Sequence, residues 1–102
     1  MQLRAGQRLA SAVSDTEVVV VRAPDGDVEV GCGGAPMVEV GQPRPADATL
    51  DASLGEPTAI GKRYADEAAG LEVLCTKAGE GALTLNGNVL LLKGAKPLPS
   101  SD

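Results

Sequence analysis

The chain has 102 residues, a formal net charge of −5, two cysteines and a single aromatic residue, a tyrosine. An acidic surface repels phosphate backbones, and a chain without Trp or Phe offers few stacking platforms for bases, so we expect no nucleic-acid partner. No apolar run approaches the ~20 residues of a membrane-spanning helix. The sequence therefore predicts a cytoplasmic protein without a membrane partner, whose two cysteines are reduced thiols.

The first half of the chain predicts three short strands. A β-branched run indicates a strand over Thr16–Arg22, and alternating valines indicate a second over Asp27–Gly31. The Ala-Pro-Asp-Gly sequence between them has turn chemistry, so we expect the two strands to form a β-hairpin. A third strand is expected at Val38–Val40. The run Val18–Val21 does not alternate, so we expect a core segment that is either covered on both faces or paired with another strand. If it were left uncovered, it would form an edge open to strand addition.

The middle and second half repeat this order. Residues 41–60 are rich in Pro, Gly and small polar residues, which predicts a linker, with one helical turn within Asp47–Leu54. A second hairpin is expected from Leu71–Lys77 to Ala82–Leu85, followed by a strand at Val89–Leu92. Arg63–Ala69 has helical propensity taken alone, but its counterpart in the first half does not, so we expect no helix there. The end of the chain is expected to be a mobile tail.

An internal repeat organises these elements. Residues 6–30 align with residues 61–85 at a constant offset of 55 without a gap. Seven of the 25 aligned pairs are identical: Gly6/Gly61, Arg8/Arg63, Ala10/Ala65, Glu17/Glu72, Val18/Val73, Ala23/Ala78 and Gly26/Gly81. Self-similarity of this kind indicates two copies of one small unit. The predicted organisation is a first repeat at 1–40, a linker at 41–60, a second repeat at 61–93 and a tail at 94–102.

The glycine and hydrophobic framework of the repeat resembles a known family. Repeat 1 ends with Cys32-Gly33-Gly34-Ala35-Pro36-Met37, and repeat 2 places Tyr64, Gly70 and Asn86-Gly87 in a related pattern. This is similar to the desulforedoxin type of rubredoxin-like ribbon, which ends in Gly-x-Leu-x-Cys-Cys-Gly-x-Pro-Met. The resemblance implies an all-β fold of two tandem, pseudo-symmetric β-ribbon units packed as one domain. It also implies a site in which four thiolates hold one iron or zinc ion.

The metal ligands of that family are almost entirely missing here. The resemblance places them at Ser11, Ser14, Cys32 and Gly33 in repeat 1, which carries two extra residues before Cys32, and at Asp66, Ala69, Leu85 and Asn86 in repeat 2. A structural zinc or iron site needs about four N or S ligands, and the chain has no His. We therefore expect that both units have lost the metal and that the protein has no cofactor, the alternative being zinc or iron held through Cys32.

Three residues remain candidates for redox chemistry or interaction: Cys32, Met37 and Cys75. Cys32 is next to glycines, where a small residue at a turn is the simpler interpretation, and Cys75 lies within a predicted strand, where a core residue is the simpler interpretation. A Cys32–Cys75 disulfide requires Cα atoms within about 7 Å. Soft Cu(I) ligation by all three residues is a further alternative, without support from their spacing.

The expected function is that of a non-catalytic accessory protein. Without His there is no Ser-His-Asp arrangement, and the glycine-rich segments lack the Lys-Ser or Lys-Thr ending of a phosphate-binding loop. We expect a protein partner, or self-association, through an apolar sheet face or an edge strand. A metal- or redox-linked role that uses Cys32 is the alternative.

Overall fold

The computed structural model describes residues 2–45 and 47–92. The regular structure of these residues is entirely short β-strands apart from one 3₁₀ turn at Ala52–Leu54, which confirms the prediction of an all-β protein. The strands are β1 (Arg8–Ala10), β2 (Glu17–Arg22), β3 (Val30–Cys32), β4 (Ala35–Pro36), β5 (Val38–Glu39), β6 (Arg63–Asp66), β7 (Leu71–Lys77), β8 (Leu83–Leu85), β9 (Asn88–Val89) and β10 (Leu91–Leu92).

Six strands form an antiparallel sheet in the order β10-β6-β7-β2-β1-β5. The valine-rich β2 lies at its centre, paired with β1 on one side and β7 on the other. Val18 and Val20 are buried, whereas Val19 and Val21 are not. This is the period-two alternation of a sheet that has its core on one face. The expectation that Val18–Val21 is paired with another strand is confirmed, because both sides of β2 are hydrogen-bonded and the run is not an open edge.

The other four strands form a second antiparallel sheet in the order β4-β3-β8-β9. A two-residue turn joins β3 to β4 through Gly33 and Gly34, at φ angles of 65° and 92°. A matching turn joins β8 to β9 through Asn86 and Gly87, at 50° and 88°. Two consecutive residues with positive φ suit the right-handed twist of a tight hairpin, and Gly and Asn adopt this conformation most readily.

The pairing registers recur between the two halves of the chain. Leu9 lies opposite Val18 in the β1–β2 pair, and Tyr64 lies opposite Val73 in the β6–β7 pair. Tyr64 follows Leu9 by 55 positions, and Val73 follows Val18 by the same number. The β1–β5 pair likewise corresponds to the β6–β10 pair, and the β3–β4 pair to the β8–β9 pair. The offset between counterparts is 53 positions for β3, β4 and β5, compared with 55 for β1 and β2. The difference arises because the first half carries two extra residues before β3.

One apolar core takes side chains from both sheets. Leu9, Val18 and Val73 come from the six-stranded sheet, and Cys32 and Leu85 come from the four-stranded sheet. Since the chain has almost no aromatic residues, these aliphatic side chains supply the buried area. Each fully buried Leu or Val contributes about 1.5–3 kcal/mol to the free energy of unfolding.

The predicted hairpins are wrong in their pairing. β2 and β3 lie in different sheets, so Thr16–Arg22 does not pair with Asp27–Gly31. The second predicted hairpin fails in the same way, because Leu71–Lys77 and Ala82–Leu85 also belong to different sheets. The residue types around Gly26, which has a φ of 81°, are suited to a change in chain direction, but residue types at a turn do not determine which strand the chain then joins.

The predicted single strand at Val89–Leu92 is also wrong, because it is divided between the two sheets. β9 pairs with β8 and β10 pairs with β6, and the chain changes sheet at Leu90, which is buried. The expectation for Arg63–Ala69 is confirmed, since β6 covers its first four residues and no helix forms there.

The linker between the halves is in contact with the strands. Leu54 O accepts a hydrogen bond from Ala82 N, at 2.7 Å, and the Thr58 and Gly79 backbones form an isolated bridge. The predicted helical turn is confirmed as the 3₁₀ turn at Ala52–Leu54, which Asp51 caps by accepting from Ser53 N–H at 2.9 Å. The predicted tail, residues 94–102, lies outside the described residues.

Candidate functional site

The three residues singled out in the sequence all lie in the apolar core. Cys32 and Cys75 are free thiols, exposed by 0 % and 1 %, and Met37 packs in the same cluster. Cys32 Sγ donates a hydrogen bond to the carbonyl oxygen of Gly81 at 3.4 Å, and Cys75 Sγ donates one to that of Lys77 at 3.2 Å. The fold thus brings the three sulfur-bearing side chains into one core and keeps them away from solvent.

Burial changes the acidity of one of these thiols. It raises the pKa of Cys75 above its ordinary value, and the proximity of Cys32 adds to this effect. The thiolate is the form that attacks electrophiles and binds metals. A raised pKa therefore makes Cys75 less reactive at neutral pH than a solvent-exposed cysteine.

The first-half positions at which the resemblance places metal ligands do not fit a metal ion. Ser11 Oγ accepts hydrogen bonds from the backbone N–H groups of Val13 and Ser14, at 3.0 and 3.1 Å, so it closes its own turn. A Cβ atom placed on Gly33 would lie 2.5 Å from Leu50 Cδ1 and 3.0 Å from Val13 Cγ2. Hydrocarbon fills the space beside Gly33, and Cys32 supplies the single thiol.

The corresponding positions in the second half do not fit one either. Asp66 Oδ1 accepts from Ala69 N–H at 3.1 Å, and Asn86 Oδ1 accepts from Glu29 N–H at 2.8 Å. Leu85 is buried in the core. No group of three or more His, Cys, Asp or Glu side chains that could hold a metal occurs in residues 2–45 and 47–92. We derive no chemistry through a metal from these positions.

A surface site that the sequence did not indicate lies at the β10 end of the six-stranded sheet. Glu56, Pro57, Tyr64, Val89, Leu91 and Leu92 line a cavity of about 400 Å³, which we call the β10 groove. Val89 is 51 % exposed, Leu91 74 % and Leu92 41 %. Large apolar side chains grouped in this way on a surface mark interaction sites more often than isolated ones do.

The change of sheet at Leu90 creates this groove. Because β9 ends in one sheet and β10 begins in the other, the groove lies between the margins of the two sheets. Its other wall is the 56–59 segment, which Tyr64 holds in place: Tyr64 Oη accepts a hydrogen bond from Ala59 N–H at 3.0 Å. Tyr64 thus lines the groove, packs against the core and uses its hydroxyl group to order the wall.

The opposite end of the same sheet is less apolar. There, β5 occupies the place that β10 has in the second half, and its residues Val38 and Glu39 correspond to Leu91 and Leu92. Both β5 residues are partly buried, and one carries a charge. The chain thus repeats its strand order but places exposed leucines at one end only. Once β5 and β10 are known to be edge strands, the sequence itself shows this asymmetry, because the first half has Glu39 where the second half has Leu92.

Comparisons with known proteins add no relative: no protein-family model matches the chain, no curated protein matches its sequence, and no solved structure matches its fold. Within the described residues, no helix is long and apolar enough to cross a membrane.

Proposed function

We propose that this protein is a non-catalytic binding module that accepts an extended segment of a partner protein as an additional strand along β10. The observation that carries this function is the exposed apolar edge. β10 pairs with β6 on one side, Leu91 is 74 % exposed and Leu92 41 %, and the groove adjoins them. Strand addition of this kind takes affinity from backbone hydrogen bonds and specificity from pockets for alternate side chains.

The chemistry of the partner segment follows from the groove and from the charge of the chain. Side chains of an added strand point alternately to the two faces of a sheet, so one set would contact Leu92 and Tyr64 and the other set would contact Leu91. These contacts favour apolar residues. Glu56 at the groove, together with a net charge of −5, favours Lys or Arg beside them and speeds the encounter with a basic segment.

We also propose that the protein arose by duplication of a desulforedoxin-like ribbon that has since lost its metal. Support comes from the pairing between the halves. Val19 lies opposite Leu74 in the six-stranded sheet, and Gly31 lies opposite Thr84 in the four-stranded sheet. On either side of these two pairs, a residue of one half pairs with the counterpart of its neighbour in the other half: Val18 pairs with Cys75, and Val20 pairs with Val73. Two subunits related by a two-fold axis pair in the same way. The edges of such a pair are then β5 and β10, and the second of these has become apolar.

A peptide-display experiment tests the binding function. Random decapeptides without Tyr or Trp are selected on the full chain, and the enriched peptides are then titrated while the fluorescence of Tyr64 is followed. This residue is the only aromatic side chain in the protein, so the signal reports on the groove. We expect peptides with alternating apolar residues and Lys or Arg beside them.

Two exposed residues give a matched pair of variants. Leu91→Lys should weaken peptide binding at least about tenfold, because burying most of one Leu side chain is worth ~1.5–3 kcal/mol. Ile60→Lys changes a residue that is 63 % exposed and outside the groove residues, and it should leave binding unchanged. Selection of no binding peptides, or equal weakening by the two substitutions, would refute the proposed function.

A further inference from the structure

A cavity of about 220 Å³ lies on the face of the four-stranded sheet that points away from the core. Gly31 in β3 and Thr84 in β8 lie directly opposite one another and line it. Their neighbours along the two strands all belong to the core cluster: Val30, Cys32, Leu83 and Leu85. Since successive side chains of a strand alternate between faces, Thr84 points the other way. Among the described residues, none lines both this cavity and the β10 groove, so a site here is independent of the proposed function.

The hydroxyl group of Thr84 is buried without a hydrogen-bond partner. The residue is 6 % exposed, and its Oγ1 forms no hydrogen bond with any atom of residues 2–45 and 47–92. The other buried polar side chains in this part of the chain all have a partner: Ser11, Thr16, Thr58 and Glu72. Buried polar groups in folded proteins are almost always paired, because an unpaired one loses its hydrogen bonds to water without replacement. An unpaired buried hydroxyl beside a cavity therefore indicates a hydrogen-bonding ligand.

This hydroxyl group leans into the space that a side chain at position 31 would fill. A Cβ atom placed on Gly31 would lie 2.7 Å from Thr84 Oγ1 and 3.2 Å from Ala35 O. Gly31 and Thr84 are counterparts in the two halves, 53 positions apart, and two threonines would collide here. Because the first half has glycine at this point, the second half keeps its hydroxyl group and the space beside it stays open.

A carboxylate group lies at each end of the cavity. Asp51 lies at the β3–β4 turn, where its N–H donates a hydrogen bond to Gly33 O at 2.8 Å. Glu29 lies at the β8–β9 turn, where its N–H donates to Asn86 Oδ1 at 2.8 Å. Because β3 and β8 are antiparallel, these turns are at opposite ends of the pair, and the Glu29 and Gly33 backbones are about 13 Å apart along the strand. Within the described part of the chain, neither carboxylate forms an ion pair with Lys or Arg.

The Asp51 carboxylate is ionised and has one oxygen atom directed to the cavity. Hydrogen bonds from the hydroxyl group and the N–H of Ser53 to Oδ1 hold the pKa of Asp51 below its ordinary value. The other oxygen, Oδ2, lies beside Gly34, which lines the cavity: a Cβ atom on Gly34 would be 3.5 Å from it. Two separated carboxylates and a hydroxyl group do not converge on one point as the ligands of a divalent cation do, whereas an elongated organic cation can reach all three.

We propose that this cavity binds a linear aliphatic polyamine, with its terminal ammonium groups at Asp51 and Glu29 and an internal amino group at Thr84. The terminal groups pair with the two carboxylates, and the internal N–H donates a charge-assisted hydrogen bond to Thr84 Oγ1. The methylene groups between the nitrogens contact the apolar part of the lining, at Pro36 and Leu54. A net charge of −5 raises the local concentration of such a cation around the protein.

Calorimetric titration of the full chain with two matched ligands tests the contact at Thr84. Spermidine has an internal amino group, and octane-1,8-diamine has the same number of chain atoms between its terminal nitrogens but a methylene group in that place. We expect spermidine to bind the parent protein about tenfold more tightly. Thr84→Val, which removes the hydroxyl group at nearly constant volume, should reduce this preference to about twofold or less. An undiminished preference in Thr84→Val would overturn the proposal, as would the absence of saturable spermidine binding at millimolar concentrations.

Charge variants separate this site from a general attraction of polyamines to an acidic protein. Asp51→Asn keeps a side chain that can cap the 3₁₀ turn, and Glu29→Gln keeps the size of the residue. Each should weaken spermidine binding about threefold. Asp25→Asn makes the same charge change at a residue that does not line the cavity, and it should change the affinity less than about twofold. Equal weakening by all three substitutions would show general attraction alone and overturn the proposal.

Urea denaturation of the ligand-free protein checks whether the Thr84 hydroxyl group is unpaired. Thr84→Val removes this hydroxyl group, so we expect no fall in the urea midpoint. Thr58→Val is the matched control, because the buried Thr58 hydroxyl donates a hydrogen bond to Gly81 O at 2.7 Å, and its loss should lower the midpoint. A lower midpoint for Thr84→Val as well would show that its hydroxyl group already has a partner within the protein, and this result would overturn the proposal.

Discussion

A pair of repeat-related glycines offers the sharpest test of the packing between the halves. Gly81 has a φ of 114°, and a Cβ atom placed on it would lie 2.9 Å from both Cys32 Sγ and Gly33 N. Gly26, at the equivalent position in the first half, has a φ of 81° and no heavy atom within 4 Å of such a Cβ. Both Gly→Ala substitutions therefore place Ala at a positive φ, but only Gly81→Ala also brings the new Cβ atom into collision with Cys32 and Gly33.

The magnitudes follow from these contacts. Placing Ala in a left-handed conformation costs about 1–2 kcal/mol, so Gly26→Ala is expected to lower the free energy of unfolding by that amount. Gly81→Ala adds a collision with the backbone of β3's turn, and overpacking of this kind costs about 1–3 kcal/mol more. We expect a total loss of about 2–5 kcal/mol for Gly81→Ala.

Urea denaturation followed by far-UV circular dichroism measures the difference. With a slope of about 1–2 kcal/mol per molar urea for a chain of this size, an extra loss of about 2 kcal/mol separates the two midpoints by about 1–2 M. Equal midpoints for Gly81→Ala and Gly26→Ala would show that β3 and the segment at Gly81 do not approach as described.

Two further predictions concern the core and its thiol. Leu9→Ala, at a fully buried position, should lower the free energy of unfolding by about 2–5 kcal/mol, whereas Leu91→Ala should change it by less than about 0.5 kcal/mol; similar urea midpoints for the two would contradict the assignment of the core. The pKa of Cys75 is raised from 9.0 in the folded state, so the unfolded chain loses this proton at a lower pH than the folded chain does. The contribution of the buried thiol to the free energy of unfolding is therefore fully present below the unfolded pKa, and it is lost as the pH rises from there through the folded pKa. Cys75→Val, which installs the residue found at the equivalent Val20, should reduce this alkaline loss, and a loss as large as in the parent protein would refute the assignment.

The longer strands β2 and β7 could be predicted from the sequence, whereas β1, β4 and β6 were not predicted and the strand expected at Asp27–Gly31 begins only at Val30. Leu71–Lys77 was located to the residue, and the repeat correctly argued against a helix at Arg63–Ala69, where local propensity favoured one. These predictions succeeded because apolar patterning and the repeat are both properties of the chain itself. The pairing between strands could not be predicted. The residues around Gly26 are typical of a change in chain direction, and such a change occurs both in a hairpin and where the chain crosses from one sheet to another.

The candidate site was harder to predict for a related reason. Cys32 and Cys75 were identifiable as candidates by residue type, but their burial depends on strands from the other half of the chain. The exposure of Leu91 depends on β10 being the last strand of a six-stranded sheet, and no local pattern encodes that position. The apolar run at Val89–Leu92 was predicted as the third strand of its repeat, and its place at the margin of a sheet was not predicted.

The cross-pairing of the two halves has a consequence for synthesis on the ribosome. β2 and β3 take partners from the second half, β7 and β8, so the first half emerges with two sheet margins that lack these partners. At 5–20 residues per second, about 3–10 s pass between the synthesis of Cys32 and that of Leu85. During that interval the same margins on neighbouring nascent chains are complementary to one another, and exchange of halves between chains competes with correct folding.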